Sequence, residues 1–95
     1  MSFYYNRAGE PIDLDTWAEL FVADRKVADD MVDGVRVSTV FIGLDLGVGE
    51  PQLFETMIFG GVLDGCCWRY PTEAAAKVGH GQAMALVALE TEATT

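Results

Sequence analysis

The sequence predicts an α+β fold, in which an antiparallel meander of four to five strands carries two helices packed on one face, in the order β-α-β-β-β-β-α. Two segments, residues 12–24 and 72–89, show the one-sided apolar pattern of amphipathic helices. Between them, runs rich in β-branched and aromatic residues alternate with short turns containing Gly or Asp. Because strands joined by short turns usually pair with their neighbours, these runs predict an antiparallel sheet.

The first predicted elements are a short strand and a helix. Residues 3–5 ("FYY") indicate the strand, and "NRAGEP" after it has the composition of a turn. Asp13 is a suitable cap for a helix over residues 12–24, and Asp15 in its first turn suits the helix dipole. The apolar stripe of this helix consists of Leu14, Trp17, Ala18 and Phe21.

Four strands are predicted in the middle of the chain. Residues 26–32 ("KVADDMV") have the charged side chains of an edge strand, and Asp33-Gly34 predicts a two-residue hairpin turn. Residues 35–44 are almost continuously apolar after Thr39, which is typical of a central strand buried on both faces. Strands over residues 53–60 and 66–70 follow, after the loop "DLGVGEPQ".

The second helix begins at Thr72, a good N-cap, and is interrupted by Gly79-His80-Gly81. We expect these glycines to bring the helix backbone close to the sheet, because the predicted inner face carries small residues. That face consists of Ala76, Gly79, Ala83 and Val87. Residues 1–90 are then a single α+β domain, and residues 91–95 a flexible C-terminal tail.

Size and composition predict a homodimer. A chain of 95 residues has little interior, yet 51% of its residues are hydrophobic. Some of that apolar surface is expected to lie at a contact between subunits or with a partner. The sheet face that the helices leave uncovered is the candidate oligomer surface.

The net charge of −9 disfavours direct nucleic-acid binding, which needs a basic footprint. Two interpretations of the charge remain open. The first is a solubilising acidic surface, which is the commoner origin of such a charge. The second is an acidic face presented to a basic partner, such as a DNA-binding enzyme that the protein would block.

The cysteines and the N-terminus indicate a soluble cytoplasmic protein. Cys66 and Cys67 are adjacent and point to opposite sides of a strand, so we expect free thiols and a reducing compartment. Two cysteines and one histidine do not complete a structural zinc site, and we expect neither a metal nor a cofactor. No secretory leader and no membrane span is indicated.

The candidate polar cluster consists of Glu55, Arg69 and His80. Glu55 lies among apolar neighbours on one strand face, where a carboxylate needs a partner, and Arg69 on the next strand can pair with it. The bland interpretation is a register-fixing ion pair; the sharper one is a polar anchor in a small pocket. His80 is either a packing residue or a general base that works with Glu55.

A second group of residues is a candidate for ligand or partner contacts: Arg36, Asp45, Trp68 and Tyr70. In a pocket between protomers, Arg36 or Arg69 would bind phosphate, and the aromatic rings would stack on a base. Asp45 lies in the glycine-containing loop, which lacks the lysine of a phosphate loop and the oxygen density of a calcium loop. We name no catalytic residue.

Three blocks, "YNRAGEPIDLDTWAELF", "VSTVFIGLDLGVGEPQLFETMIFGG" and "WRYPTEAAAKVGH", resemble a family of small uncharacterised proteins encoded by bacteriophages and prophages of actinobacteria, mycobacteriophages especially. The resemblance covers residues 5–80. Members carry a histidine after "GLD" where this chain has Leu46, so no role of that histidine carries over. The resemblance implies no activity, but it implies a setting: accessory genes expressed in the cytoplasm of an infected bacterium.

The function expected from these observations is that of a phage accessory protein that binds a host protein, as an inhibitor or counter-defence factor, without catalysis. The alternatives are an oligomeric protein that sequesters a small molecule or nucleotide, and a small enzyme that uses His80 with Glu55.

Overall fold

The computed structural model describes residues 3–45, 47 and 49–94. Its elements in chain order are β1 (Tyr4–Tyr5), β2 (Pro11–Ile12), α1 (Leu14–Ala23), β3 (Lys26–Val32), β4 (Val35–Phe41), β5 (Phe54–Phe59), β6 (Cys67–Tyr70) and α2 (Glu73–Thr94). The predicted α+β class is confirmed. The strands β3, β4, β5 and β6 form an antiparallel meander in that spatial order, and β1 pairs with β2 in a separate two-stranded sheet.

The meander owes its register to tight turns and to alternating side chains. Asp33 and Gly34 adopt φ angles of 50° and 81°, the left-handed backbone that a two-residue hairpin requires, and they bring Val32 opposite Val35. On the other side of β4, Thr39 lies opposite Thr56 of β5. A register shift between Lys26 and Ala28 marks an irregularity at the start of the edge strand β3.

The core lies between the sheet and α2. One cluster contains Val37, Ile58, Ala83 and Val87, and the other contains Phe41, Leu53, Phe54 and Ala76, with Trp17 and Leu20 of α1 packed against it. Both helices therefore lie on the same face of the sheet. Gly79 permits this approach, because a Cβ atom at that position would overlap the ring of Tyr70.

The N-terminal region differs from the prediction in one respect. Ile12, which we expected to begin the first helix, belongs to β2 and pairs with Tyr4. The helix begins at Leu14, because Asp13 caps it with a carboxylate oxygen that accepts from the N–H of Thr16 at 2.8 Å. The pattern of the sequence located the helix correctly and missed the two-residue strand before it.

Two further expectations are corrected. The outer face of strand β4 is only partly buried, because Arg36 on it is exposed and Val40 is half-buried, although Ser38 between them is buried. Helix α2 is continuous and ends at Thr94, and the hydroxyl of Thr91 donates to the carbonyl of Val87 at 2.9 Å. Residues 91–94, expected in a flexible tail, are thus helical, and residue 95 lies outside the described residues.

Neither helix of the described residues is long and apolar enough to cross a membrane.

Candidate functional site

The strand alternation divides the candidate residues between two faces of the sheet. Thr39 and Thr56 point towards α2, so Arg36 on β4 and Glu55 on β5 point away from it. No helix of the described residues packs on that second side, since both helices contact the opposite one. We call it the open face; it carries Lys26, Asp29, Met31, Arg36, Ser38, Val40, Glu55, Met57, Phe59, Cys67 and Arg69.

Two ion pairs organise the charges of the open face. Glu55 lies directly opposite Arg69, and the Nε atom of Arg69 donates to Oε2 of Glu55 at 3.0 Å. Arg36 donates from Nε and Nη2 to the two carboxylate oxygens of Asp29, at 3.0 and 2.8 Å. These bonds hold the pKa of Asp29 below its ordinary value and raise the pKa of Arg36. Each carboxylate on this face is thus already paired.

A shallow groove of about 370 Å³ runs along the open face. Its lining combines the apolar side chains of Val40, Met57 and Phe59 with basic residues, among them Arg25 just after α1, and with the carboxylates of the two ion pairs. The guanidinium carbon of Arg36 lies 5.4 Å from the ring centroid of Phe59. The groove therefore offers apolar contact and cations side by side.

The structure separates His80 from Glu55 and Arg69. His80 lies on α2 and is 5% exposed, on the opposite side of the sheet from the Glu55–Arg69 pair. Its Nδ1 lies 2.7 Å from Oγ1 of Thr39, and its Nε2 lies 2.8 Å from a carboxylate oxygen of Asp30. The expected partners of His80 were therefore wrong. Helix α2 packs on one face of the sheet, and Glu55 points to the other face.

A polar chain that is buried except at its exposed end, Asp30, runs from Asp30 through His80 and Thr39 to Thr56, whose hydroxyl lies 2.5 Å from that of Thr39. We call it the buried polar chain. The order of carboxylate, imidazole and hydroxyl resembles the relay that activates a nucleophile. Here, however, both threonines are fully buried in the sheet beneath α2, and neither of them lines the groove of the open face. The chain satisfies buried polar atoms and ties α2 to β3, β4 and β5.

Sequence reasoning missed Asp30, Thr39 and Thr56 as partners of His80. One signal was present: Thr39 and Thr56 occupy positions that alternate with apolar core residues on their strands. Because each buried polar atom requires a hydrogen bond, two buried hydroxyls and a helical histidine in a small domain are expected to bond to each other. Asp30 carried no such signal, because an exposed edge-strand carboxylate is ordinary.

The remaining candidates do not meet. Trp68 and Tyr70 line a cleft of about 260 Å³ between β6 and α2, on the opposite side of the sheet from Arg36. Asp45 accepts a hydrogen bond from the N–H of Gly47 at 2.8 Å and so closes a local turn, while Leu46 lies outside the described residues. Within one chain, Arg36 and the rings of Trp68 and Tyr70 thus lie on different sides of the sheet, and a nucleotide pocket formed between protomers stays a prediction.

Within the described ranges, no group of three or more His, Cys, Asp or Glu residues is arranged to hold a metal ion. No protein-family model, no curated protein and no solved structure matches the chain.

Proposed function

We propose that this protein is a non-catalytic accessory protein encoded by a phage, which acts in the cytoplasm of the infected bacterium by binding a host protein through the open face. The observation that carries the proposal is the composition of that face. Methionine, an aromatic ring and arginine are the residue types enriched at protein interfaces, and the open face presents Met31, Met57, Phe59, Arg36 and Arg69.

The exposure of these apolar groups supports a docking role. Met31 is 65% exposed and Phe59 is 43% exposed, although the domain has a core in which such side chains are fully buried. Met57 lies between them and the Glu55–Arg69 pair, opposite Ser38. An adaptable methionine surface rimmed by ion pairs can exclude water from a partner without leaving a buried charge unpaired.

The charge of the open face indicates what charge its partner carries. Four of the six basic residues of the chain lie on the face or line its groove, against only Asp29 and Glu55 of the 15 acidic residues. This side is therefore locally positive in a protein whose net charge is −9. Charge complementarity favours a host surface that is acidic and apolar. The acidic remainder of the molecule then serves solubility, as in the first of the two interpretations of the charge.

The buried polar chain supports the non-catalytic part of the proposal. A general base has to reach a substrate proton, directly or through one water. Both ring nitrogens of His80 are engaged, by Thr39 and by Asp30, and the histidine is 5% exposed. This geometry supports a structural role for His80 in place of the catalytic one considered with Glu55.

Affinity capture from a lysate of an actinobacterial host tests the proposal. The bait proteins are the wild type, Met57→Glu on the open face, and Val22→Glu at an 86% exposed position of α1 as the control. We expect a host protein that the wild type and Val22→Glu retain and that Met57→Glu loses. Capture of no specific protein, or equal capture by all three baits, would overturn the proposal.

A second candidate function is the binding of an anionic small molecule, such as a nucleotide, in the groove of the open face. It is favoured by the cations of Arg25, Lys26 and Arg36 around one groove, with Phe59 available for stacking. Arg36 would have to give up its ion pair with Asp29 in order to bind the ligand. A thermal-shift screen with linear and cyclic nucleotides distinguishes the two: a shift that Phe59→Ala abolishes supports the small molecule, and no shift across the panel removes it.

A further inference from the structure

The strand β6 is an edge of the sheet whose outer backbone groups no described strand pairs. The N–H of Ile58 donates to the carbonyl of Cys66 at 3.0 Å, which fixes the alternation of the β5–β6 ladder. By that alternation, Trp68 and Tyr70 turn their backbone groups towards β5, whereas Cys67 and Arg69 turn theirs outward. An edge of this kind is a template for a further strand.

An apolar flank of α2 adjoins this edge. Gln82 and Leu86 line the cleft of about 260 Å³ together with Trp68 and Tyr70. Val78 and Leu89 continue the same stripe along the helix at spacings of three and four residues, and they are 63% and 61% exposed. Over residues 78–89 the sequence contains no Asp, Glu, Lys or Arg.

The two edges of the sheet differ in their protection. β3 carries Asp29 and Asp30 and a register shift near its start, which are the features that prevent edge-to-edge pairing. β6 has neither an acidic residue nor a register shift in its ladder with β5, and Trp68 stands on it 38% exposed. A protein that blocks one edge and leaves apolar surface beside the other has a free side suited to association.

We infer that β6 pairs antiparallel with the β6 strand of a second copy of this chain, so that two four-stranded sheets become one sheet of eight strands. A two-fold axis would pair the outward backbone N–H and C=O groups of one β6 strand with the same groups of the other. The same axis would bring the apolar flanks of the two α2 helices to this contact. Trp68 lies on the helix side of the sheet, opposite Thr56. In the dimer, Trp68 of the partner subunit is brought beside the flank formed by Val78, Gln82, Leu86 and Leu89.

The distribution of charge is compatible with a second copy as the occupant, and the self-complementary edge of β6 argues for one. Two chains of net charge −9 repel each other over most of their surfaces. The flank of α2 is uncharged, so the copies meet there without opposing carboxylates. The dimer contact therefore lies at β6 and not on the open face, which stays available on both subunits.

Sedimentation velocity in reducing buffer, over about a hundredfold range of protein concentration, tests the dimer. The variants come in matched pairs. Val78→Glu places a charge on the flank, and Val22→Glu makes the same change on α1. Cys67→Pro removes the outward N–H, and Cys67→Ser keeps it.

We expect the wild type, Val22→Glu and Cys67→Ser to form dimers with similar dissociation constants. Val78→Glu and Cys67→Pro should each raise that constant about tenfold or more, with a circular dichroism spectrum like that of the wild type. If Cys67→Pro does not fold, Val78→Glu alone decides. A wild type that stays monomeric over the whole range, or a Val78→Glu variant that dimerises like Val22→Glu, would overturn the inference. Dissociation by Met57→Glu but not by Val78→Glu would place the contact on the open face and would overturn it too.

Discussion

At the scale of single residues, His80 shows how a small core accommodates polar groups. Its two ring nitrogens connect Asp30 on the edge strand to Thr39 in the sheet interior, and the hydroxyl of Thr39 is hydrogen-bonded to that of Thr56. Among the described residues that are not exposed, no buried side-chain nitrogen or oxygen lacks a hydrogen-bond partner. Because each member satisfies its neighbour, the loss of a central member should cost more than the loss of a terminal one.

Replacing Thr39 with valine tests this order. Thr39→Val removes the hydroxyl that contacts both His80 and Thr56, and should lower the free energy of unfolding by about 1–3 kcal/mol. Thr56→Val, also at a fully buried position, removes the end of the chain and should lower it by less. Urea unfolding of both variants gives the comparison. Equal losses would mean that the hydroxyls act independently of the chain.

At the scale of secondary structure elements, the fit of α2 on the sheet depends on one glycine. Gly79 and Gly81 lie two residues apart in the same helix, but a Cβ atom at Gly79 would overlap Tyr70, and a Cβ atom at Gly81 would meet nothing within 4 Å. The helix interior disfavours both glycines by about 1 kcal/mol relative to alanine. The close packing on Tyr70 therefore offsets the low helix propensity of Gly79, and no such contact offsets that of Gly81.

The two glycines provide a matched pair of substitutions. Gly79→Ala should lower the free energy of unfolding by about 1–3 kcal/mol, because the ring of Tyr70 or the helix has to move. Gly81→Ala should raise it by up to about 1 kcal/mol. Chemical denaturation measures both. Stabilisation by Gly79→Ala would show that the helix does not lie as close to β6 as the structure places it.

Arg7 joins elements that lie far apart in the sequence. Its guanidinium donates to Glu73 at 2.7 Å at the start of α2, and to the carbonyls of Asp24 and Lys26 at 3.2 Å each, between α1 and β3. The hydrogen bond from Arg7, and to a smaller extent Lys77, holds the pKa of Glu73 below its ordinary value. This residue was not singled out in the sequence, because nothing local in "NRAGEP" points to α2.

The depressed pKa of Glu73 predicts a dependence of stability on pH. The carboxylate of Glu73 stays ionised to a lower pH in the folded protein than in the unfolded chain. Its contribution to the free energy of unfolding is therefore complete above the pKa of the unfolded chain. It is lost as the pH falls from about 4 through the lower, folded value. The unfolding midpoint of Glu73→Gln should therefore fall less steeply than that of the wild type below about pH 4. Parallel curves for the two proteins would contradict the role of the Arg7–Glu73 pair.

The elements were largely predictable from the sequence, and their contacts were not. The Asp33-Gly34 turn, the caps at Asp13 and Thr72 and the inner face of α2 are local patterns, and the structure has each of them. Strand periodicity also placed Glu55 opposite Arg69. The partners of His80 depended on which face of the sheet α2 covers, which is a tertiary property that no local pattern encodes.

At the scale of the whole molecule, charge and apolar surface are segregated. The open face gathers most of the basic residues with Met31, Met57 and Phe59, while the β6 side of α2 is apolar and uncharged. Apart from Asp29 and Glu55, the acidic residues lie outside these two sides. In the described part of the chain these are two separate sides, the one that we propose binds a host protein and the one that we propose pairs with a second copy of the chain.

The central claim is that a host protein binds the open face, and the affinity of the purified host protein for matched variants tests it most directly. Isothermal calorimetry compares the wild type with Met57→Glu and Val22→Glu, each at low and at moderate salt. The account predicts that Met57→Glu weakens binding about tenfold or more, that Val22→Glu changes it by less than about twofold, and that salt weakens the wild-type complex. Equal affinities for all three proteins, or tighter binding at higher salt, would contradict it.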